Sequence, residues 1–160
     1  MKYTIDINAD FKCLHCGHHI SANAFLAGVN NRNHCPYCLW SRHLDWYQAG
    51  DRLSACKAGM RPVGLTLKRG RNKYACVADG ELMLVHQCIE CEKLSINRIA
   101  ADDVPEALIE VFDASTGLPL WIQDKIQTNG INLLGRADSD QVYRQLYGQL
   151  NPTIPELYTI

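Results

Sequence analysis

The chain has 160 residues, 47% of them apolar, which is enough for one domain with a buried core or for a domain with an appendage. It contains no apolar run of about 18 residues that would cross a membrane, and its N-terminus lacks the apolar segment of a signal peptide. We therefore expect a cytoplasmic protein without a membrane partner. Because thiols stay reduced in that compartment, the eight cysteines favour metal or redox chemistry over structural disulfides.

The net charge of −1 is unevenly distributed along the chain. Residues 1–100 carry 13 Lys and Arg against 8 Asp and Glu, a net +5, whereas residues 101–160 carry 3 against 9, a net −6. A zinc ion with four thiolates adds −2 and one with three thiolates and a histidine adds −1, which would leave the first part near about +2. The first part is then only mildly basic, unlike a strongly basic nucleic-acid-binding domain.

The first elements in chain order lead to a predicted metal site. Alternation of Tyr3, Ile5 and Ile7 predicts a short strand, and a helical turn is predicted over residues 24–27. Eighteen residues separate a first C-x-x-C pair from a second, and a spacer of about 15–20 residues is typical of zinc sites. The first predicted zinc site therefore consists of Cys13, Cys16, Cys35 and Cys38.

The second pair, Cys35-Pro36-Tyr37-Cys38, also matches the active-site tetrapeptide of glutaredoxins. A thioredoxin-like redox site needs a hydrophobic strand directly before the motif. The residues that precede it here are Asn30-Asn31-Arg32-Asn33-His34, which do not form such a strand. The metal interpretation is therefore favoured over redox catalysis.

The next predicted elements form an antiparallel meander. Strands are predicted over residues 63–69, 73–77 and 81–87, with Asp79-Gly80 at the centre of a two-residue hairpin turn. This turn would place Cys76 opposite Met83, Lys73 opposite His86 and Arg71 opposite Cys88. Cys76 would then lie on the order of 17 Å from Cys88 and on the other face, as a small buried hydrophobe.

The same register selects the ligands of a second metal site. His86 precedes Cys88 by two residues and would lie on the same face of its strand. We therefore predict a Cys₃His zinc site, the second in the chain, formed by Cys56, His86, Cys88 and Cys91. A basic hairpin tip is predicted beside this site. Its side chains either keep an edge of the sheet in contact with solvent or contact phosphate groups.

These motifs resemble, in order, those of the RNHCP-domain family, named for the pentapeptide Arg32–Pro36. The similar segments are CLHCG, RNHCPYCLWSRHLD, GDR, Cys56 with GM and PVG, H-x-C-x-x-C ending at Cys91, and NRIAADD, between Phe11 and Leu108. Glu92 departs from the expected glycine, which puts the turn of the last C-x-x-C in question, and Cys76 matches no motif position. The resemblance implies a bacterial zinc-binding domain and carries no activity with it.

Helices are predicted beyond Asp103. Asp103 is expected to cap a helix that has Pro105 in its first turn and ends at Gly117, and further helices are predicted over residues 119–127 and 139–150. The predicted fold class is α+β. A small zinc-stapled antiparallel β domain with two zinc-ribbon or knuckle sites spans residues 1–103, and an acidic helical extension, packed on it or tethered to it, spans residues 104–160.

The favoured function is a non-enzymatic zinc module that binds RNA or a ribonucleoprotein such as the ribosome. Zinc sites with four protein ligands leave no position open for water and are usually structural. An adaptor that binds a protein through its acidic helices is the alternative. A nuclease of the HNH kind is disfavoured, because Asn33-His34 runs straight into a knuckle instead of a hairpin followed by a helix. The candidate RNA-contacting residues are Arg32, His34, Trp40, Arg42, Lys68, Arg69, Arg71, Lys73 and Arg98.

Overall fold

Short strands in the first two thirds of the chain are followed by helices. The computed structural model describes residues 9–48, 50–68 and 80–148. The strands are β1 (Phe11–Lys12), β2 (His19–Ile20), β3 (Ser41–Arg42), β4 (Gly59–Lys68), β5 (Glu81–Cys88) and β6 (Leu94–Arg98). The helices are α1 (Ala24–Ala27), α2 (Pro105–Ser115), α3 (Leu120–Thr128) and α4 (Ser139–Tyr147). The predicted α+β class is confirmed, and α1 has the predicted bounds, whereas the predicted strands over residues 3–7 and 73–77 lie outside the described residues.

Four strands form one antiparallel sheet in the order β3-β4-β5-β6, and β1 and β2 form a separate hairpin. Both edges of β5 are paired, since Met83 lies opposite Thr66 of β4 and opposite Arg98 of β6. Strands β4 and β6 fill both edges of β5 over residues 83–87. The predicted partner segment, residues 73–77, lies outside the described residues. Strand β6, which the sequence patterns did not predict, pairs with β5 and forms one edge of the sheet.

The buried core is centred on β5, in which every residue from Leu82 to Cys88 is buried. Leu84 and Val85 point to opposite faces of the sheet because they are neighbours in a strand. They belong to two different apolar clusters, which both include residues of the C-terminal helices. The Leu84 cluster includes Leu39, Leu65, Leu108, Phe112 and Val142, and the Val85 cluster includes Val63, Ile122 and Ile126. Helices α2, α3 and α4 therefore each bury apolar residues in the same clusters as those of the sheet.

Helix α2 begins differently from the prediction. Pro105 is its first residue, as expected, but the N-cap is Val104, which makes no side-chain capping bond. Asp103 is not the cap, because its carboxylate accepts a hydrogen bond from the backbone N–H of Ala100 at 2.8 Å and faces Arg32 and His34 instead. Helix α4 ends at Tyr147, three residues before the predicted end, because Gly148 adopts a left-handed conformation with φ of 70°.

Candidate metal centres

Four cysteine side chains meet between the β1–β2 hairpin and the segment that precedes β3. The Sγ atom of Cys13 lies 3.6 Å from that of Cys38, and the Sγ atom of Cys16 lies 3.5 Å from that of Cys35. All four Sγ atoms lie within 4.8 Å of one another. The structure thus brings together, as a first tetrad, the four cysteines whose spacing predicts a zinc site.

The sulfur positions of the first tetrad fit a tetrahedral metal ion. A zinc ion with Zn–S bonds of about 2.3 Å holds its sulfur ligands about 3.8 Å apart. Two of the S···S distances, 3.5 and 3.6 Å, are close to that separation. They are far longer than a disulfide bond of about 2.05 Å, and the four cysteines are free.

The pKa values of these thiols also indicate that the first tetrad binds a cation. Burial raises the pKa of Cys13, but hydrogen bonds from the backbone N–H groups of Cys16 and His15 and from neighbouring thiols outweigh it and lower this pKa to about 7. Burial raises the pKa of Cys35, and burial together with the neighbouring thiols raises that of Cys38. Four thiolates this close together repel one another, so a bound cation is what allows all of them to be charged.

The three C-x-x-C pairs close with the same backbone turn. In each pair, the residue after the second cysteine donates its N–H to the carbonyl oxygen of the first cysteine. These bonds are Gly17 to Cys13 at 2.9 Å, Leu39 to Cys35 at 2.9 Å and Glu92 to Cys88 at 3.1 Å. The donor residues have positive φ angles of 81°, 62° and 61°, a conformation that suits glycine. The turn of the third pair therefore matches the others although Glu92 replaces glycine.

Side-chain contacts account for the two non-glycine residues in these turns. Leu39 is fully buried and belongs to the apolar cluster of Leu84. Glu92 places a carboxylate oxygen 2.8 Å from Nζ of Lys125 in α3. A left-handed conformation costs a non-glycine residue roughly 1–2 kcal/mol, so these contacts offset a local strain.

A second tetrad lies at the end of the four-stranded sheet and consists of His43, Cys56, Cys88 and Cys91. The Sγ atoms of Cys56 and Cys88 are 3.6 Å apart, and Nδ1 of His43 lies 3.3 Å from Sγ of Cys91. All four ligand atoms lie within 4.8 Å of one another. The donor set is three thiols and one imidazole, the Cys₃His type that the sequence predicts, but with a different histidine.

His43 enters the second tetrad through the pairing of β3 with β4. Arg42 lies opposite Gly59, and beyond this pair the N–H of His43 donates to the carbonyl oxygen of Ala58 at 2.8 Å. The N–H of Lys57 donates in turn to the carbonyl oxygen of His43 at 3.1 Å. This short ladder brings His43 beside Cys56. Burial, helped by the charge of Lys93, lowers the pKa of His43, which favours the neutral imidazole that binds metals.

The prediction of His86 as a metal ligand is wrong. Its side chain is fully buried, Nε2 lies 2.6 Å from the carbonyl oxygen of Leu39, and Nδ1 lies 2.8 Å from Nδ2 of Asn97. Nε2 therefore donates and Nδ1 accepts, which occupies both ring nitrogens. Burial, and to a smaller extent the charge of His34, lowers the pKa of His86 to about 3 and keeps the ring neutral. His86 therefore connects the second C-x-x-C turn to β6, and both of its ring nitrogens are engaged within the protein.

A buried ion-pair network holds the segment that precedes Cys35. The guanidinium of Arg32 lies 2.8 Å from Asp102 and 3.3 Å from Asp103, and Nε2 of His34 lies 2.7 Å from Asp103. Nε of Arg32 also donates to the carbonyl oxygen of His34 at 3.1 Å. Because both side chains are buried, the predicted contacts of Arg32 and His34 with RNA are wrong, and the two residues have a structural role.

The other predicted RNA-contacting residues lie in different places. Trp40 is half-buried and stacks on the ring of His15, with centroids 4.2 Å apart. Nη2 of Arg42 lies 3.5 Å from the carbonyl oxygen of Lys57. Lys68 is exposed at the end of β4, and the exposed Arg98 pairs with Glu81 at 2.7 Å. The remaining candidates, together with the cysteine assigned to no site, lie outside the described residues: Arg69, Arg71, Lys73 and Cys76.

A family model described as the RNHCP domain matches residues 8–109, which is more than half of the chain. The chain belongs to the RNHCP-domain family. No curated protein and no solved structure matches it. All the residues of both tetrads fall within the matched part of the RNHCP domain. Among the described residues, no helix has the length and apolar character needed to span a membrane.

The structure gives a physical role to each residue of the RNHCP pentapeptide, Arg32–Pro36. The first and third residues form the buried network with Asp103. Asn33 donates through Nδ2 to the carboxylate of Asp45 at 3.2 Å, and Cys35 belongs to the first tetrad. The carbonyl oxygen of Pro36 accepts a hydrogen bond from Val104 at 3.0 Å, directly before α2. The pentapeptide of this RNHCP domain therefore joins a metal site to the sheet and to the first long helix.

Proposed function

We propose that the chain is a non-enzymatic module in which each tetrad binds one Zn²⁺ ion with a structural role. The observation that carries this proposal is that each cluster supplies four Cys or His ligand atoms within 4.8 Å. Four protein ligands complete a tetrahedral shell, so no coordination position stays open for water or substrate. Thiolate-rich sets favour zinc over harder cations such as Mg²⁺, and a reducing cytoplasm would keep the thiols available.

The residues that suggested a nuclease have other roles in the structure. His34 is paired with Asp103, and His43 belongs to the second tetrad. The carboxylate of Asp45 accepts hydrogen bonds from the backbone N–H groups of Gly50 at 2.9 Å and Arg52 at 3.0 Å. Each of these three groups is therefore engaged in a contact within the protein or in a candidate metal site, which supports a binding role over catalysis.

We further propose that this module binds RNA or a ribonucleoprotein such as the ribosome. Support comes from the surface between and beside the two tetrads, where exposed aromatic rings alternate with cationic side chains. Trp40, Trp46 and Tyr47 are at least partly exposed there, next to Arg42 and Lys93. Aromatic faces that stack on bases and cations that contact phosphates are the usual elements of single-stranded RNA recognition.

Metal analysis of the purified protein tests the zinc assignment. We expect two zinc ions per chain in the parent protein, one in a His43→Ala variant and two in a His86→Ala variant. The last variant is expected to be less stable by about 3 kcal/mol, because it opens a cavity and leaves buried hydrogen-bonding groups unpaired. Fewer than two zinc ions in the freshly purified parent, or loss of zinc in His86→Ala alone, contradicts the assignment.

Cofractionation with ribosomal particles tests the RNA proposal. The protein is expected to migrate with ribosomal subunits and to be released by RNase and by high salt, because phosphate contacts weaken as counterions compete. Migration with partners that resist RNase would instead support an adaptor that binds protein through its acidic helices. A protein that is found only as a free chain would contradict both functions.

A further inference from the structure

A groove of about 340 Å³ lies between the first and third C-x-x-C turns. Trp40 forms one wall, stacked on His15 with an interplanar angle of only 5°. Gly59 forms part of the floor, since a Cβ atom there would lie 3.4 Å from the ring of Trp40 and 3.6 Å from Ile89. The other residues that line the groove include Phe11, Lys12, Leu14 and Arg42. It thus combines aromatic and aliphatic walls with two cations and no carboxylate among the described lining residues.

A second aromatic element follows β3 directly. The indole of Trp46 stacks on His43 at 5.9 Å, contacts Tyr47 edge-on at 6.3 Å, and has Nζ of Lys93 4.4 Å from its ring centroid. Its exposed fraction is 43%, and that of Tyr47 is 82%. These rings border a smaller groove of about 230 Å³.

Two carboxylates fix the backbone that carries these rings. Asp51 accepts hydrogen bonds from the N–H groups of Trp46 at 2.9 Å, Tyr47 at 2.8 Å, Gln48 at 3.0 Å and Leu53 at 3.0 Å. Four such bonds to an exposed carboxylate lower the pKa of Asp51 and keep it charged at neutral pH, although some desolvation opposes this shift. Asp45, which lines the smaller groove, is likewise occupied by backbone N–H groups. Tyr47 is therefore presented by an ordered segment, which reduces the entropy lost when a ligand binds it.

Arg42 connects the two aromatic elements, because it lines both grooves. Its Nε atom is buried and has no hydrogen-bond partner within the described part of the chain. Its Nη2 atom makes only a long contact of 3.5 Å with the carbonyl oxygen of Lys57. The guanidinium therefore retains hydrogen-bonding capacity between two aromatic sites, and an anionic oxygen is the group that best satisfies it.

We propose that a single strand of RNA lies across β3, with one base against Trp40 and His15, a phosphate at Arg42, and a second base on Tyr47. This inference rests on the proposed RNA function and specifies its site. Stacking on a protein ring needs a base face that a duplex keeps covered, so the surface selects single strands. The positive charge of Lys12, Arg42 and Lys93 complements the phosphate backbone, whereas an apolar peptide would leave these cations unpaired.

Fluorescence anisotropy of the full-length, zinc-loaded protein with a labelled RNA of roughly 10 mixed nucleotides tests this site. We expect the single strand to bind at least about tenfold more tightly than the same strand annealed to its complement. Tyr47→Ala is expected to weaken binding about tenfold, whereas Tyr47→Phe keeps the ring and the affinity. Arg42→Gln is expected to reduce the slope of log K against log salt by about 1. Trp121→Ala, an exposed tryptophan on α3, is the matched control and leaves binding unchanged.

The outcomes separate this inference from the proposed function. Because Tyr47 is largely exposed, its replacement preserves the fold, and unchanged zinc content confirms that the variant is folded. The inference is overturned if the Tyr47 and Arg42 variants bind RNA as tightly as the parent protein, or if the duplex binds as tightly as the single strand. Either result leaves the RNA function in place. The inference is also overturned, with the RNA function intact, if the protein fails to bind the oligonucleotide but still cofractionates with ribosomes in an RNase-sensitive manner. Failure in both experiments overturns the RNA function itself.

Discussion

The two tetrads differ in how the chain assembles them. The first takes all its ligands from two C-x-x-C turns, and one of these turns lies in the β1–β2 hairpin, outside the four-stranded sheet. The second takes its ligands from three segments, which belong to the ends of β3, β4 and β5 or adjoin them. The first site therefore attaches a peripheral hairpin, whereas the second closes one end of the central sheet.

This difference predicts unequal consequences when one metal is lost. Apparent binding free energies of structural zinc are about 10–16 kcal/mol, which equals or exceeds the stability of a small domain of about 5–15 kcal/mol. Cys88→Ser removes a buried ligand that is also paired with Met60 in the sheet, so we expect the sheet to unfold. Cys16→Ser removes an exposed ligand of the first tetrad, and we expect the sheet to stay folded with one zinc ion.

Amide hydrogen exchange measures this contrast directly. In the Cys16→Ser protein, the amides of Met83 to Val85 should keep their protection, while that of Ile20 in the β1–β2 hairpin loses it. In the Cys88→Ser protein, protection should be lost throughout the sheet. If Cys16→Ser also exposes the amides of β5, the two tetrads fold as one unit and the distinction fails.

The same contrast explains which ligands could be predicted. Cys13, Cys16, Cys35 and Cys38 form two local turns, so their spacing alone places them in one cluster. His43 reaches its cluster only through the pairing of two residues of β3 with Met60 and Gly59. A strand of two residues is too short to show an alternating pattern of apolar and polar residues. Spacing alone therefore favours His86, which is nearer in sequence to Cys88.

Asp103 shows a different limit of sequence reasoning. An aspartate two residues before Pro105 is a good capping candidate by local rules, but α2 begins at Pro105, one residue later than an Asp103 cap would place it. The carboxylate instead pairs with the buried guanidinium of Arg32 and accepts a hydrogen bond from the buried ring of His34, about 70 positions earlier in the chain. Pairing with Arg32 is worth more to Asp103 than capping α2. An unpaired buried guanidinium costs more free energy of folding than the roughly 1 kcal/mol that an N-cap contributes. A sequence motif does not reveal whether its arginine is exposed or buried.

This network gives a prediction of intermediate size, because it joins the flank of the first tetrad to the start of α2 without a metal. Asp103→Ala leaves the buried His34 ring without its hydrogen-bond partner and leaves Arg32 with Asp102 as its one carboxylate among the described residues. We expect the free energy of unfolding to fall by about 3–5 kcal/mol. The matched variant Asp102→Ala removes a carboxylate that is 42% exposed, and we expect a loss of at most about 1 kcal/mol. Urea unfolding of the two zinc-loaded proteins provides the comparison. If the two variants lose equal free energy of unfolding, the burial of Asp103 does not determine how much this residue contributes to stability.

The smallest expected effect compares the second and third C-x-x-C turns, which share a left-handed residue but differ in what its side chain contacts. Leu39→Gly relieves the strain but empties a fully buried site, so we expect a net loss of about 2–4 kcal/mol. Glu92→Gly relieves the same strain and gives up only the partly exposed ion pair with Lys125, so we expect a change within about 1 kcal/mol of zero. Lys125→Ala, measured in the same urea series, isolates the ion pair, since it keeps Glu92 and its backbone strain. If Glu92→Gly is as destabilising as Leu39→Gly while Lys125→Ala is neutral, the third turn depends on Glu92 in a way that neither backbone strain nor this ion pair explains.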